Sequence, residues 1–222
     1  MRTKTTLAAA AILAAGLVSS MAQANVYSLN VVGYVNTVIE GGGAYNLIAN
    51  PLNNTTGNTL TNLFSGPQAN FSQILLWDVA TFDFSAVQPS YGGGAWSANV
   101  PLPPGKGFFY VNAGPTFTNT FVGDVIQGSF TNFITGSGSY NAIGSSVPVS
   151  GSFTNAIGGL APANFDQVLK WDVATFDFNT VQPSFGGGVW TTTALNIGVG
   201  EGLFYVRAGA DLNWIRTYTV AP

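Results

Sequence analysis

Few residues in this chain could do chemistry, and their types limit what it can attempt. There is no His and no Cys, which removes the usual general base, the thiol nucleophile, haem ligation and ordinary zinc sites together. Carboxylates remain. Asp78 and Asp83 stand five residues apart, and Asp172 and Asp177 repeat the spacing. Two carboxyl groups at a fixed separation are the minimum for glycoside hydrolysis, and loosely arranged carboxylate oxygens suit calcium. A plainer use competes with both. Val79, Ala80 and Phe82 lie between the first pair and supply few further oxygens, whereas Asp and Thr beside a tight turn bond back to nearby backbone N–H groups. The expectation is no catalytic residue, no metal and no cofactor, with the acids serving as turn caps and on a solvated strand face.

Aromatic rings offer more than the acids do. Tyr91 and Trp96 flank a glycine triplet at 92–94, and Phe185 and Trp190 flank another at 186–188. These four are the candidate ligand-binding residues, because a duplicated loop could present two flat rings to a sugar or to another protein chain. The favoured alternative is that Trp96 and Trp190, with Trp77 and Trp171, are core residues that hold hairpins down. The triplets are not phosphate cradles, since no Lys, Ser or Thr follows them into a helix; they let the backbone turn or approach a neighbour closely.

The candidates come in pairs because the chain is written twice. Residues 77–96 (WDVATFDFSAVQPSYGGGAW) and 171–190 (WDVATFDFNTVQPSFGGGVW) agree at 16 of 20 positions. The match extends more weakly to Gly41, Gly43, Tyr45, Asn46 and Ile48 against Gly136, Gly138, Tyr140, Asn141 and Ile143, and to GKGFFYV at 105–111 against GEGLFYV at 200–206. The separation drifts only between 93 and 95 residues, the small edits that loops tolerate in two copies of one folded unit.

The elements that must position these residues are strands. Val26 to Ile39 is rich in β-branched and aromatic residues and reads as a strand bent at Gly33; a turn at 41–43 and a second strand over 44–52 then predict a hairpin. Leu60, Leu63 and Phe64, and in the second copy Phe153, Ala156 and Ile157, have the spacing of one or two helical turns. Short strands follow over 72–77 and 166–171, with a tight turn after Asp78 and a return strand in which Phe82 and Phe84 share the buried face. One more strand is expected around Trp96. The apolar run from Phe108 to Val111 fits a central strand covered on both faces. The fold class is therefore all-β: two tandem sandwich- or barrel-like repeats of about 95 residues, each with a short helical turn, packed with pseudo-twofold symmetry. Repeat 1 spans 25–125 and repeat 2 spans 126–222, with no Pro-rich or Ser-rich linker between them.

Residues 1–24 read as a secretory signal peptide: Arg2 and Lys4, an apolar run from Leu7 to Val18, and Ala22-Gln23-Ala24 with cleavage after Ala24. That run is too short for a membrane span, and no span is expected in the mature chain. Lys106, Lys170, Arg207 and Arg216 then face nine carboxylates, which excludes nucleic acid as a partner. So few charges leave a polar surface that repels other copies weakly.

Several segments together, VYSLNVVGYVN, AYNLIANPLN, ILLWDVATFDF, PPGKGFFYVNA, FVGDVIQG and GVGEGLFYVRAGADLNWIRTYTV, resemble a group of secreted bacterial proteins built from two tandem β-rich repeats. The resemblance covers the whole mature chain; it implies export and an all-β fold but carries no activity, since the group has none established. The functional expectation is a secreted, non-catalytic structural or adhesive protein of the cell surface or extracellular matrix, with self-association, polysaccharide or other surface proteins as partners. The periplasm is the other compartment open to it. A carbohydrate-binding module using the loop aromatics is the alternative, and an outer-membrane β-barrel the third reading.

Overall fold

A computed structural model of the chain describes residues 31–89, 95–156, 158, 160–181, 183, 189–191 and 195–220. The leader, its cleavage point, Tyr91, Phe185 and the glycine triplets lie outside them. In the first copy the elements are β1 (Val32–Ile39), β2 (Ala44–Ala49), α1 (Leu60–Leu63), β3 (Gln73–Asp78), β4 (Asp83–Val87), β5 (Gly107–Asn112) and β6 (Phe117–Asp124). The second copy supplies β7 (Gly128–Ile134), β8 (Ser139–Gly144), β9 (Gly151–Ser152), α2 (Phe153–Ala156), β10 (Gln167–Asp172), β11 (Asp177–Val181), β12 (Asn196–Ile197), β13 (Gly202–Arg207) and β14 (Leu212–Tyr218).

Each copy has a four-stranded antiparallel sheet, ordered β2-β5-β3-β4 in the first and β8-β13-β10-β11 in the second, and a two-stranded ribbon, β1-β6 or β7-β14. The expected hairpin of the first two strands does not form. β1 pairs with β6 over its whole length while β2 pairs with β5. The turn at 41–43 is tied to a distant segment instead: Gly42 N–H donates to Gly114 O and Gly43 N–H to Asn112 O, at 2.8 and 2.7 Å. The chain thus crosses from one layer to the other at a place where sequence shows only a glycine turn.

A buried asparagine secures the crossing in each copy. Asn46 accepts from Glu40 N–H and donates to the carbonyls of Glu40, Ala44 and Tyr110; Asn141 repeats the pattern with Thr135, Ser139 and Tyr205. A buried amide with all its bonds made is stabilising, and the same amide unpaired would be costly.

Core residues alternate along β5 as the continuous apolar run predicts. Phe108 and Tyr110 face the ribbon side, in a core with Ile39, Leu60, Phe64, Ile74 and Phe121. Phe109 points the other way, into a cluster with Leu47 and Phe204 of the second copy. In β13, Leu203 and Tyr205 enter the second copy's own core with Ile134, Phe153 and Trp214, while Phe204 meets Phe109. The layers therefore run ribbon, sheet, sheet, ribbon, a sandwich rather than a barrel. No sheet among the described residues closes on itself, and among them the longest strands have eight residues. Among the described residues no helix is long and apolar enough to cross a membrane.

The sheets interlock through two glycine-rich strand starts. Gly144 N–H donates to Gly105 O and Ala49 N–H to Gly200 O, at 2.9 and 2.8 Å, and isolated bridges join Lys106 to Ile143 and Ile48 to Glu201. Since Ala49 matches Gly144, Gly105 matches Gly200, and the bridge partners match likewise, each contact one copy makes is returned by the other. Tyr218 and Val220, at the end of the second copy, pack against the first copy's core.

Candidate functional site

The acids are where the turn argument places them. Asp78 Oδ1 accepts Ala80 N–H at 2.9 Å and Asp83 Oδ1 accepts Phe84 N–H at 2.7 Å; Asp172 and Asp177 do the same for Ala174 and Phe178. Among the described residues no group of three or more acids converges as a metal site.

Trp96 and Trp190 are not displayed. They are only 9% and 8% exposed, and each packs in its own copy's core, Trp96 against Phe64 and Tyr110 and Trp190 against Phe153 and Tyr205. Isolated bridges pin them at Pro89 and Pro183 in place of the expected strand. The Trp96 indole N–H is buried without a hydrogen-bond partner. A sugar platform built from the loop aromatics would therefore have to rest on Tyr91 and Phe185 alone.

The rings that do face open space are Trp77 and Trp171, at the ends of β3 and β10. Between the two sheets lies a cleft of about 670 Å³ lined by matched pairs: Tyr45 and Tyr140, Leu75 and Leu169, Trp77 and Trp171, Phe84 and Phe178, Phe109 and Phe204. Strand alternation builds it. Leu75 and Trp77 are two residues apart and share a face of β3, while Leu47 and Leu75 flank Phe109 in register on its neighbours. Phe109 and Phe204 form the buried floor, with ring centroids 6.4 Å apart, and each meets the opposite copy's Trp edge-on, at 5.3 Å for Phe109–Trp171 and 5.6 Å for Trp77–Phe204.

Polar groups in the cleft are few and mostly occupied. Trp77 Nε1 donates to Tyr140 O at 2.7 Å and Trp171 Nε1 to Tyr45 O at 2.6 Å. These bonds lock each copy's Trp to the other copy's edge strand, and among the described residues no charged side chain lines the space. Beside the two lining Trp rings stand Phe82 and Phe176, in edge contact with Trp77 and Trp171 at 6.3 Å each. Both have left-handed backbones, φ 53° and 54°, and both are more than half exposed, so they belong to the turns and not to the buried face of the return strand. A bulky residue in that region is strained.

The copies differ outside the cleft. In the second, buried Asp166 accepts from Arg207 Nη1 at 2.7 Å, the Tyr205 hydroxyl at 2.5 Å, and the N–H groups of Ala163 and Ala208. In the first, the matching positions are Ser72 and Asn112, and the Tyr110 hydroxyl donates to Gln68. Burial pushes Tyr110 up to about 12, with the Ser72 hydroxyl pulling slightly the other way; burial and then the Asp166 carboxylate raise Tyr205. These are core networks, without access from the cleft.

Sequence reasoning assigned Trp77 and Trp171 only to hairpin cores and passed over Tyr45, Phe84, Phe109 and their partners. A signal was available. Strands β3 and β5 carry apolar side chains on both faces, so each sheet needs a second partner. Compared with protein-family models, curated proteins and solved structures, the chain finds no match.

Proposed function

We propose that this chain is a secreted, non-catalytic protein that works by structural or adhesive association at the cell surface or in the extracellular matrix, with a second copy of itself as the first partner. The observation that carries this reading is the outward face of the ribbons. On β1-β6 it holds Val32, Tyr34, Val38 and Val122, with Tyr34 73% exposed; on β7-β14 it holds Phe133 and Ile215, with Phe133 63% exposed. Between them stand uncharged Asn36, Thr118, Thr120 and Thr131. Contiguous exposed apolar side chains of this kind mark interaction surfaces, and with Asp124, opposite Val32, the one charged residue in the β1-β6 ladder, two such faces repel each other only weakly. The reciprocal contacts between the sheets support a pseudo-twofold relation of the copies, which would set the two ribbons on opposite sides and allow association to propagate.

Sedimentation velocity on residues 25–222 tests this. Association that grows with concentration, and is lost in the double variant Tyr34→Ser/Phe133→Ser with its β-sheet signal intact, is the expected result. A monomer at every concentration would overturn it.

A further inference from the structure

We propose that the cleft between the two sheets is a binding site for a neutral apolar small molecule, one held by ring and aliphatic contact without hydrogen bonds or ion pairs. This goes beyond the proposed association and does not use the ribbon faces.

The size is right: about 670 Å³ lies inside the span of small-molecule sites, roughly 300–1,000 Å³. The chemistry of the wall selects the ligand. Every described lining residue is aromatic or Leu, and both indole N–H groups are already donated to carbonyls of the opposite copy. A sugar needs several free donors and acceptors beside its stacking ring, and an anion needs a cation; this wall has neither. Among the described lining residues the remaining polar groups are the phenols of Tyr45 and Tyr140, which are 39% and 40% exposed and can remain wet while their rings face inward.

The cleft also stays open where it could have closed. Tyr45, Phe84 and Tyr140 are about 40% exposed (39%, 38% and 40%), although Phe109 and Phe204 a few ångströms away are packed as tightly as a core. Filling that space would remove apolar surface from water on both sheets, which is favourable. Phe82 and Phe176 add to the case: each holds a strained backbone with its ring against a lining Trp, in a turn where Gly or Asn would sit without strain.

The test is titration of the mature chain with N-phenyl-1-naphthylamine, a neutral fluorescent hydrophobe. Saturable binding at one site per chain, with quenching of tryptophan emission, is expected, and its affinity should be insensitive to salt because no charge takes part. Leu75→Trp, which fills the cleft, should abolish binding. Phe84→Asp with Phe178→Asp, which puts charge at an exposed rim, should weaken it about tenfold or more and carries the test if Leu75→Trp does not fold. Tyr34→Ser/Phe133→Ser should bind the probe unchanged even where it abolishes self-association. Absence of saturable binding, or binding that survives both cleft variants, would overturn the proposal. So would release of the probe as protein concentration rises, since a second copy would then be the occupant.

Discussion

At the scale of single residues, the duplication is an internal control: one backbone solves one problem with two chemistries. Asp166 and Arg207 form a buried ion pair with Tyr205 where Ser72, Asn112 and Tyr110 use neutral groups. Burial pulls the Arg207 guanidinium down and Asp166 more than restores it. Removing one member of a buried pair strands the other, so Asp166→Ala should cost about 3–5 kcal/mol. Ser72→Ala loses the bond accepted from Ala113 N–H and the one to the Tyr110 hydroxyl, about 2 kcal/mol in all. The double replacement Asp166→Ser/Arg207→Asn copies the first repeat and should cost less than Asp166→Ala alone, a coupling that urea denaturation of the three variants reads directly. An equal or larger loss in the double variant would mean that the pair does not act as a unit. Residue roles of this kind were only partly legible. The turn-capping acids followed from local spacing, but the amides of Asn46 and Asn141 depend on carbonyls 64 residues away, which no local pattern encodes.

At the scale of elements, the sequence shows which segments are strands more clearly than what they pair with. The helical turns, the Asp78–Asp83 hairpin and the doubly covered β5 follow from periodicity and turn residues. Pairing of β1 with β6 does not, because the glycine turn at 41–43 is equally compatible with a hairpin and with a crossover, and only its bonds to residues 112 and 114 decide. The repeated Gly-x-Gly before each central strand does have a readable cause once the copies are in place. A Cβ at Gly107 would stand 2.8 Å from the backbone of Ala142 and Ile143, and one at Gly202 2.9 Å from the carbonyl oxygen of Ile48. Backbone cannot step aside as a side chain can. Gly107→Ala and Gly202→Ala should each destabilise by about 1–3 kcal/mol, the usual cost of overpacking, whereas Gly66→Ala, with nothing within 4 Å, should be near neutral; denaturant midpoints measure all three. Equal midpoints would show that the sheets can part at that contact without loss.

At the scale of the whole molecule, the repetition is read in the sequence itself, and the two four-stranded sheets pack on one another. The mutual dependence of the copies was not legible there, because it rests on the exchange of Trp77 and Trp171 onto each other's edge strands and on a terminal strand that reaches the other core. A lone copy would expose Phe109 or Phe204 together with its Leu and Trp neighbours, an apolar surface that isolated domains do not leave uncovered. Unfolding one copy therefore withdraws the partner surface of the other, and the chain of residues 25–222 should unfold in a single transition, with tryptophan fluorescence and far-ultraviolet circular dichroism coincident. The five tryptophans report on both copies: Trp77 and Trp96 in the first, Trp171, Trp190 and Trp214 in the second, so a stepwise loss would be visible. Trp77→Phe removes one cross-copy hydrogen bond while keeping a ring in the cleft, and it should shift the midpoint for the whole chain rather than split the transition. Two resolved transitions in the unaltered chain would mean that each sheet stands by itself, and the cleft would then be a contact between independent domains with no fixed shape to hold a ligand.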